Sequence, residues 1–227
     1  YYVLDLAEYN EEITSAINII QDEGHNSIVL SGHSTGGLIT TLYAAHHPNH
    51  ETLKALWVNS PFYDFNMNVL KKKFALPRIS KLGKKFPKLQ FPSDLNKFYT
   101  QSLHRDFYGE WDFDLNLKQK TYPKVSLSFI HAIHESQKEI HDGIQINIPT
   151  LVMHSDRTTF PKKFNQDAQS SDVILDVKTI EKYAKKLQGD VNVMTIKNGL
   201  HDLVLSKPPV RLQVYESLFQ WLDLKEI

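Results

Sequence analysis

Five short runs, YYVLDL (1–6), SIVLSG (27–32), LKALWVNSP (53–61), IPTLVMHS (148–155) and VNVMTIKNG (191–199), are apolar without a regular polar alternation. A strand that is apolar on both faces needs cover on both, which is the situation of a parallel sheet between two helical layers. Amphipathic stretches separate the runs. Residues 8–24 place Ile13, Ala16, Ile17 and Ile20 at helical spacing before a glycine, and 177–187 do the same with Ile180, Tyr183, Ala184 and Leu187. TGGLITTLYAAHHP (35–48) and PPVRLQVYESLFQWL (208–222) read as two more helices. Strands alternating with helices predict an α/β fold with a mostly parallel, doubly wound sheet.

One spacing breaks the alternation. Between the third and fourth runs lie some 85 residues, far more than a crossover helix needs, so 62–147 is expected to be an inserted, mostly helical subdomain. The core then falls into 1–61 and 148–227. The insertion is crowded with aromatics, and from Lys71 to Lys88 it carries eight Lys or Arg and no acid, with Phe74, Leu76, Ile79, Leu82 and Phe86 among them. Such a segment can rest on an anionic membrane surface with its rings dipped in, or it can be a solvated lid face. Pro77 and Pro87 argue against one continuous helix there.

Lys plus Arg and Asp plus Glu number 26 each among 227 residues, so no global field points to nucleic acid, and none is expected as a partner. The absence of cysteine excludes disulfides and thiolate chemistry and fits a reducing cytoplasm, the expected location. No run of about 18 apolar residues predicts a membrane span. The opening residues have neither the basic leader nor the cleavage site of a signal peptide.

The second run ends in Gly32-His33-Ser34-Thr35-Gly36 and passes into a helix. In a G-x-S-x-G turn between strand and helix the serine hydroxyl is projected above the sheet, and glycines allow close backbone approach. A serine is a poor nucleophile unless a base takes its proton and donors stabilise the oxyanion, so the motif calls for an acid and a histidine later in the chain. His201, after the last strand and the Asn198-Gly199 turn, is the histidine in that place. The acid is less constrained, because Asp156, Asp167, Asp172 and Asp176 all follow the fourth run. Asp176, directly before a helix, ranks first, with Asp172 and Asp156 behind it, although aspartate is also an ordinary N-cap. The backbone N–H of Thr35 is the assignable oxyanion donor. His33 and Phe62 are candidate substrate contacts.

GHSTGGL, NSPF, LVMHSDR, SDVILDV and GLHDLVLS resemble the α/β-hydrolase superfamily, most of all a bacterial subgroup of its monoglyceride lipase, lysophospholipase and serine aminopeptidase-like branch. The resemblance favours Asp176 as the acid. It implies an eight-stranded, mostly parallel sheet with a helical lid, and a serine hydrolase that cleaves lipid-like carboxylic esters without metal or organic cofactor. It also implies two or three strands ahead of YYVLDL and a glycine-containing loop after Asp5-Leu6, so an N-terminal segment carrying the second oxyanion donor is expected to be missing from the sequence. A hydrolase-like binding protein without catalysis and a peptidase or amidase are the rival readings. A metal hydrolase built on His46, His47 and His50, or on His131 and His134, lacks a carboxylate motif to complete either cluster.

Overall fold

The computed structural model describes residues 2–93, 96–118 and 122–227. Four parallel strands form its main sheet: β1 (Ile28–His33), β2 (Leu53–Asn59), β5 (Thr150–Ser155) and β6 (Val191–Ile196), in the order β1-β2-β5-β6. Helices α1 (Asn10–Asp22) and α2 (Thr35–His46) flank β1 in sequence, α6 (Val177–Ala184) links β5 to β6, and α7 (Pro208–Leu224) follows β6. Residues 60–149 contain α3 (Leu76–Lys85), α4 (Phe98–Leu103), α5 (Leu127–Asp142) and a two-residue antiparallel pair, β3 (Gln90–Phe91) with β4 (Val125–Ser126).

The sheet is covered on both faces, and the period of two in its side chains shows how. Ala55, Leu151, Met153 and Ile196 meet Val214, Leu218 and Trp221 of α7, whereas Leu56, Val58 and Val152 join Leu38, Leu42, Ala132, Ile133, Ile140, Ile180 and Ala184 of α2, α5 and α6. All six residues of β5 are buried, as a central strand requires. Each fully buried aliphatic side chain contributes on the order of 1.5–3 kcal/mol, so this two-sided layer dominates the stability.

The first expected strand is not one. Residues 2–5 lack strand pairing and Leu6–Tyr9 form a 3-10 turn, because Asp5 accepts from the Ala7 N–H at 2.9 Å while Glu8 reaches back to the Leu4 and Asp5 N–H groups. This capping box closes the turn that the apolar pattern alone reads as extended chain.

The segment 62–147 shares the main apolar cluster with the sheet, through Tyr63, Phe98, Tyr99, Leu103, Ala132, Ile133 and Ile140. Its basic stretch is helical from 71 to 85 despite Pro77. Lys71–Ala75 form a π turn in which the Leu76 N–H donates to the Lys71 carbonyl, five residues back. The wider turn shifts the carbonyl register ahead of a proline that has no N–H to give, so α3 starts with Pro77 in its first turn.

Candidate active site

Ser34 sits at the junction of β1 and α2 with φ 56° and ψ −118°, a backbone conformation that side chains rarely adopt. The strain is held by close packing. A Cβ on Gly32 would lie 2.4 Å from the Gly36 carbonyl oxygen, and one on Gly37 would lie 2.9 Å from Pro61, whereas Gly36 has open space beside it. Glycine is therefore required sterically at 32 and 37, and the second glycine of the motif serves no contact of its own. The Ser34 N–H donates to the Asn59 carbonyl at 3.0 Å, and the Phe62 N–H donates to the Ser34 carbonyl at 2.9 Å, tying the turn to the end of β2.

The Ser34 hydroxyl lies 3.0 Å from His201 Nε2, and His201 Nδ1 lies 2.8 Å from Asp172 Oδ2. With Nδ1–H donating to the carboxylate, Nε2 is left as acceptor for the hydroxyl proton, the tautomer a general base needs. His201 and Asp172 are both buried, the latter fully. The other carboxylate oxygen of Asp172 accepts the N–H groups of Ile174 and Leu175, each at 2.8 Å, so the buried charge is satisfied on both sides.

Asp176, expected beside the histidine, is elsewhere. It is the N-cap of α6 and accepts the Lys178 N–H at 3.1 Å. Asp172 replaces it for a local reason: its own N–H donates to the Arg157 carbonyl and its carbonyl accepts from Thr159, which pins residue 172 beside the end of β5. Burial of Val173, Ile174 and Leu175 then fixes the loop, and Asp176 falls four residues further along, at the start of α6. Asp156, the third choice, accepts the Asn198 N–H at 2.8 Å and holds the turn before His201.

Thr35 opens α2 directly after Ser34, and the first N–H groups of a helix have no intrahelical acceptor. The ring of His33 is 4.8 Å from that of His201, and burial pushes its pKa down to about 4, with the nearby His201 adding to the effect. It is therefore neutral near pH 7. Phe62 stacks edge-on against Phe65 at 5.1 Å and its carbonyl accepts from Gln137.

No sequence motif assigns a role to four residues around the site, Tyr99, Lys118, Asn59 and Asp202. Tyr99 of α4 packs edge-on against His201 at 5.5 Å between ring centres, and the Lys118 ammonium stands 4.9 Å above the Tyr99 ring. Asn59 donates through Nδ2 to Asp202 Oδ1 at 2.8 Å. The aromatic crowding of 62–147 was a signal for Tyr99, but no spacing rule marks which ring meets the imidazole. The histidines proposed as metal ligands have other partners: His46 meets Glu139 at 2.8 Å, His47 stacks on Tyr43, and His131 meets Ser80 at 2.8 Å.

A sequence profile of the family described as serine aminopeptidase, S33 (Hydrolase_4) matches residues 1–207. The chain belongs to the Hydrolase_4 family. No curated protein matches its sequence. Among solved structures, this Hydrolase_4 chain is similar to a monoacylglycerol lipase from Paleococcus ferrophilus, at 18% identity and TM-score 0.63 over 95% of this chain and 76% of that one. It is similar also to a soluble variant of monoglyceride lipase from Saccharomyces cerevisiae, at 18% identity and TM-score 0.64 over 97% and 69%. Est1E from Butyrivibrio proteoclasticus follows at 17% identity and TM-score 0.56 over 97% and 71%. At such identities the likeness is one of fold, and the Hydrolase_4 chain is an α/β-hydrolase with a mostly parallel sheet, as its sequence motifs imply.

Proposed function

We propose that this Hydrolase_4 protein is a serine hydrolase of lipid-like carboxylic esters, of the monoacylglycerol or lysophospholipid type. The Ser34–His201–Asp172 alignment carries the reading. Ser34 Oγ attacks the ester carbonyl while His201 Nε2 takes its proton, and the tetrahedral oxyanion meets the Thr35 N–H. His201 returns the proton to the departing alcohol, leaving an acyl group on Ser34. Water then attacks the acyl carbon, giving up a proton to the same imidazole, and the acid and the free serine are restored. Asp172 orients His201 and stabilises its charged form. In this reading residues 62–147 act as a lid, and their aromatic side chains offer an acyl chain the apolar walls it rewards.

The experiment is reaction with a fluorophosphonate probe and turnover of a short p-nitrophenyl ester. Ser34→Ala is expected to abolish both while the protein stays folded; retained activity overturns the serine assignment, and a folded wild-type chain that neither labels nor turns over points to a binding protein. Because the family description names an aminopeptidase, an aminoacyl anilide belongs in the same assay. Faster cleavage of the anilide would move the reading to amides.

We extend the proposal to membrane contact by 71–88. Phe74, Ile79, Leu82 and Phe86 are exposed among the lysines, on an element with no acidic residue from 65 to 93. No helix among the described residues is long and apolar enough to cross a membrane, so contact would be peripheral. Co-sedimentation is expected with vesicles containing phosphatidylserine and not with pure phosphatidylcholine. Equal binding to both argues against the electrostatic attraction.

A further inference from the structure

Asn59 closes β2 beneath the candidate site and is 3% exposed, yet no step of the proposed reaction uses it. Its main-chain carbonyl accepts the Ser34 N–H at 3.0 Å. Its side chain turns the other way along the sheet edge: Nδ2 donates to Asp202 Oδ1 at 2.8 Å, and Oδ1 accepts the Leu203 N–H at 3.2 Å. One residue thus holds the nucleophile's own peptide and grips the two residues that follow His201.

The loop bearing His201 leaves β6, the strand two places from β2 in the sheet, so no ladder bond sets its distance from Ser34. Ser155 and Ser206 restrain it through Gly199 and Leu200, before the histidine. Directly after the histidine, Asn59 and Asp202 hold it at 202–203, Asp202 also capping the turn at Leu203–Leu205, and two residues further on the Trp111 indole N–H donates to the Leu205 carbonyl at 2.9 Å. The donor and acceptor are both needed on one short side chain. Aspartate at 59 would set a second carboxylate against Asp202, glutamine is one methylene too long, and leucine has the shape without either bond.

We propose that Asn59, acting with Asp202, is a positioning residue that sets the separation of the His201 imidazole from the Ser34 hydroxyl. The inference rests on the serine-hydrolase reading above. A misplacement of about 1 Å in a reacting pair can cost on the order of 10²-fold in rate without altering substrate affinity.

The test is a double-mutant cycle on p-nitrophenyl butyrate hydrolysis with Asn59→Leu, Asp202→Ser and the double variant, beside Ser34→Ala. Asp202→Ser retains a cap for the Val204 N–H and loses reach to Asn59. Asn59→Leu is expected to lower kcat by about 10²-fold with KM within twofold. Asp202→Ser is expected to lower it in the same sense, with the double variant close to the worse single one, since two partners of one contact do not add. A folded Asn59→Leu with wild-type kcat, or losses that multiply, overturns the inference. Should Asn59→Leu fail to fold, Asp202→Ser alone decides, and unchanged kcat there overturns it. If Ser34→Ala stays active the serine reading falls and this one with it; if Ser34→Ala is dead and the cycle is flat, only the positioning role falls.

Discussion

Ser34, His201 and Asp172 show how unevenly a site is written in a sequence. The serine and histidine are marked by backbone geometry: the glycine at 32 has no room for a Cβ, and His201 follows the last strand by one tight turn. The acid has no such mark, because four aspartates follow β5 and each is a plausible turn or cap residue. What selects Asp172 is the pairing of its backbone with Arg157 and Thr159, a contact between residues far enough apart that local pattern does not report it. The two candidates separate experimentally. Asp172→Asn is expected to lower kcat by about 10⁴-fold, since the amide favours the wrong imidazole tautomer. Asp176→Asn is expected to leave kcat unchanged, and Asp176→Ala to cost about 1 kcal/mol in urea unfolding as a lost cap. The reverse pattern would return the acid to position 176.

Among the elements, the four sheet strands are legible as short unbroken apolar runs, and the helices α1, α2, α6 and α7 as the longer stretches between and after them, α1 and α6 by their helical spacing. The 3-10 turn at Leu6–Tyr9 is not, since a capping box from Asp5 to Glu8 outweighs an apolar hexapeptide. The helix at 71–85 was obscured by Pro77, whose cost is absorbed by a π turn rather than by a break. That helix packs against α5 and comes close to its backbone at Gly83: a Cβ there would lie 2.2 Å from the Leu127 carbonyl oxygen, beside the Ser80–His131 hydrogen bond. Gly83→Ala improves helix propensity by up to about 1 kcal/mol, but the clash with backbone cannot be relieved by a rotamer. The helices must separate, so the variant is expected to melt lower than the wild type and to be cut faster by trypsin among the lysines of 71–88. A higher melting temperature would show that the contact yields.

For the whole molecule, one buried and three partly buried histidines contribute to the response to acid. Burial is the leading cause that lowers the pKa values of His33, His134, His141 and His154 from the ordinary 6.5, with His33 down to about 4. In the unfolded chain these rings take up protons as pH falls through 6.5, while in the native state they take up fewer, so the unfolded state is favoured as pH drops from about 6.5 toward 4. Below the His33 value its contribution is constant. Calorimetry from pH 7.5 to 4.5 is expected to show a falling melting temperature, with a shallower fall in His33→Gln; a flat or rising curve contradicts the assignment. The order of the strands has a separate consequence. β2 and β5 are neighbours, with Asn59 beside Met153, yet 60–149 lies between them in the chain. Closing a loop of that length costs about 2 kcal/mol more than closing one of ten residues. During synthesis the first half of the sheet therefore waits, with an open β2 edge, until some ninety further residues have left the ribosome, and contact order makes that pairing the slow step of folding.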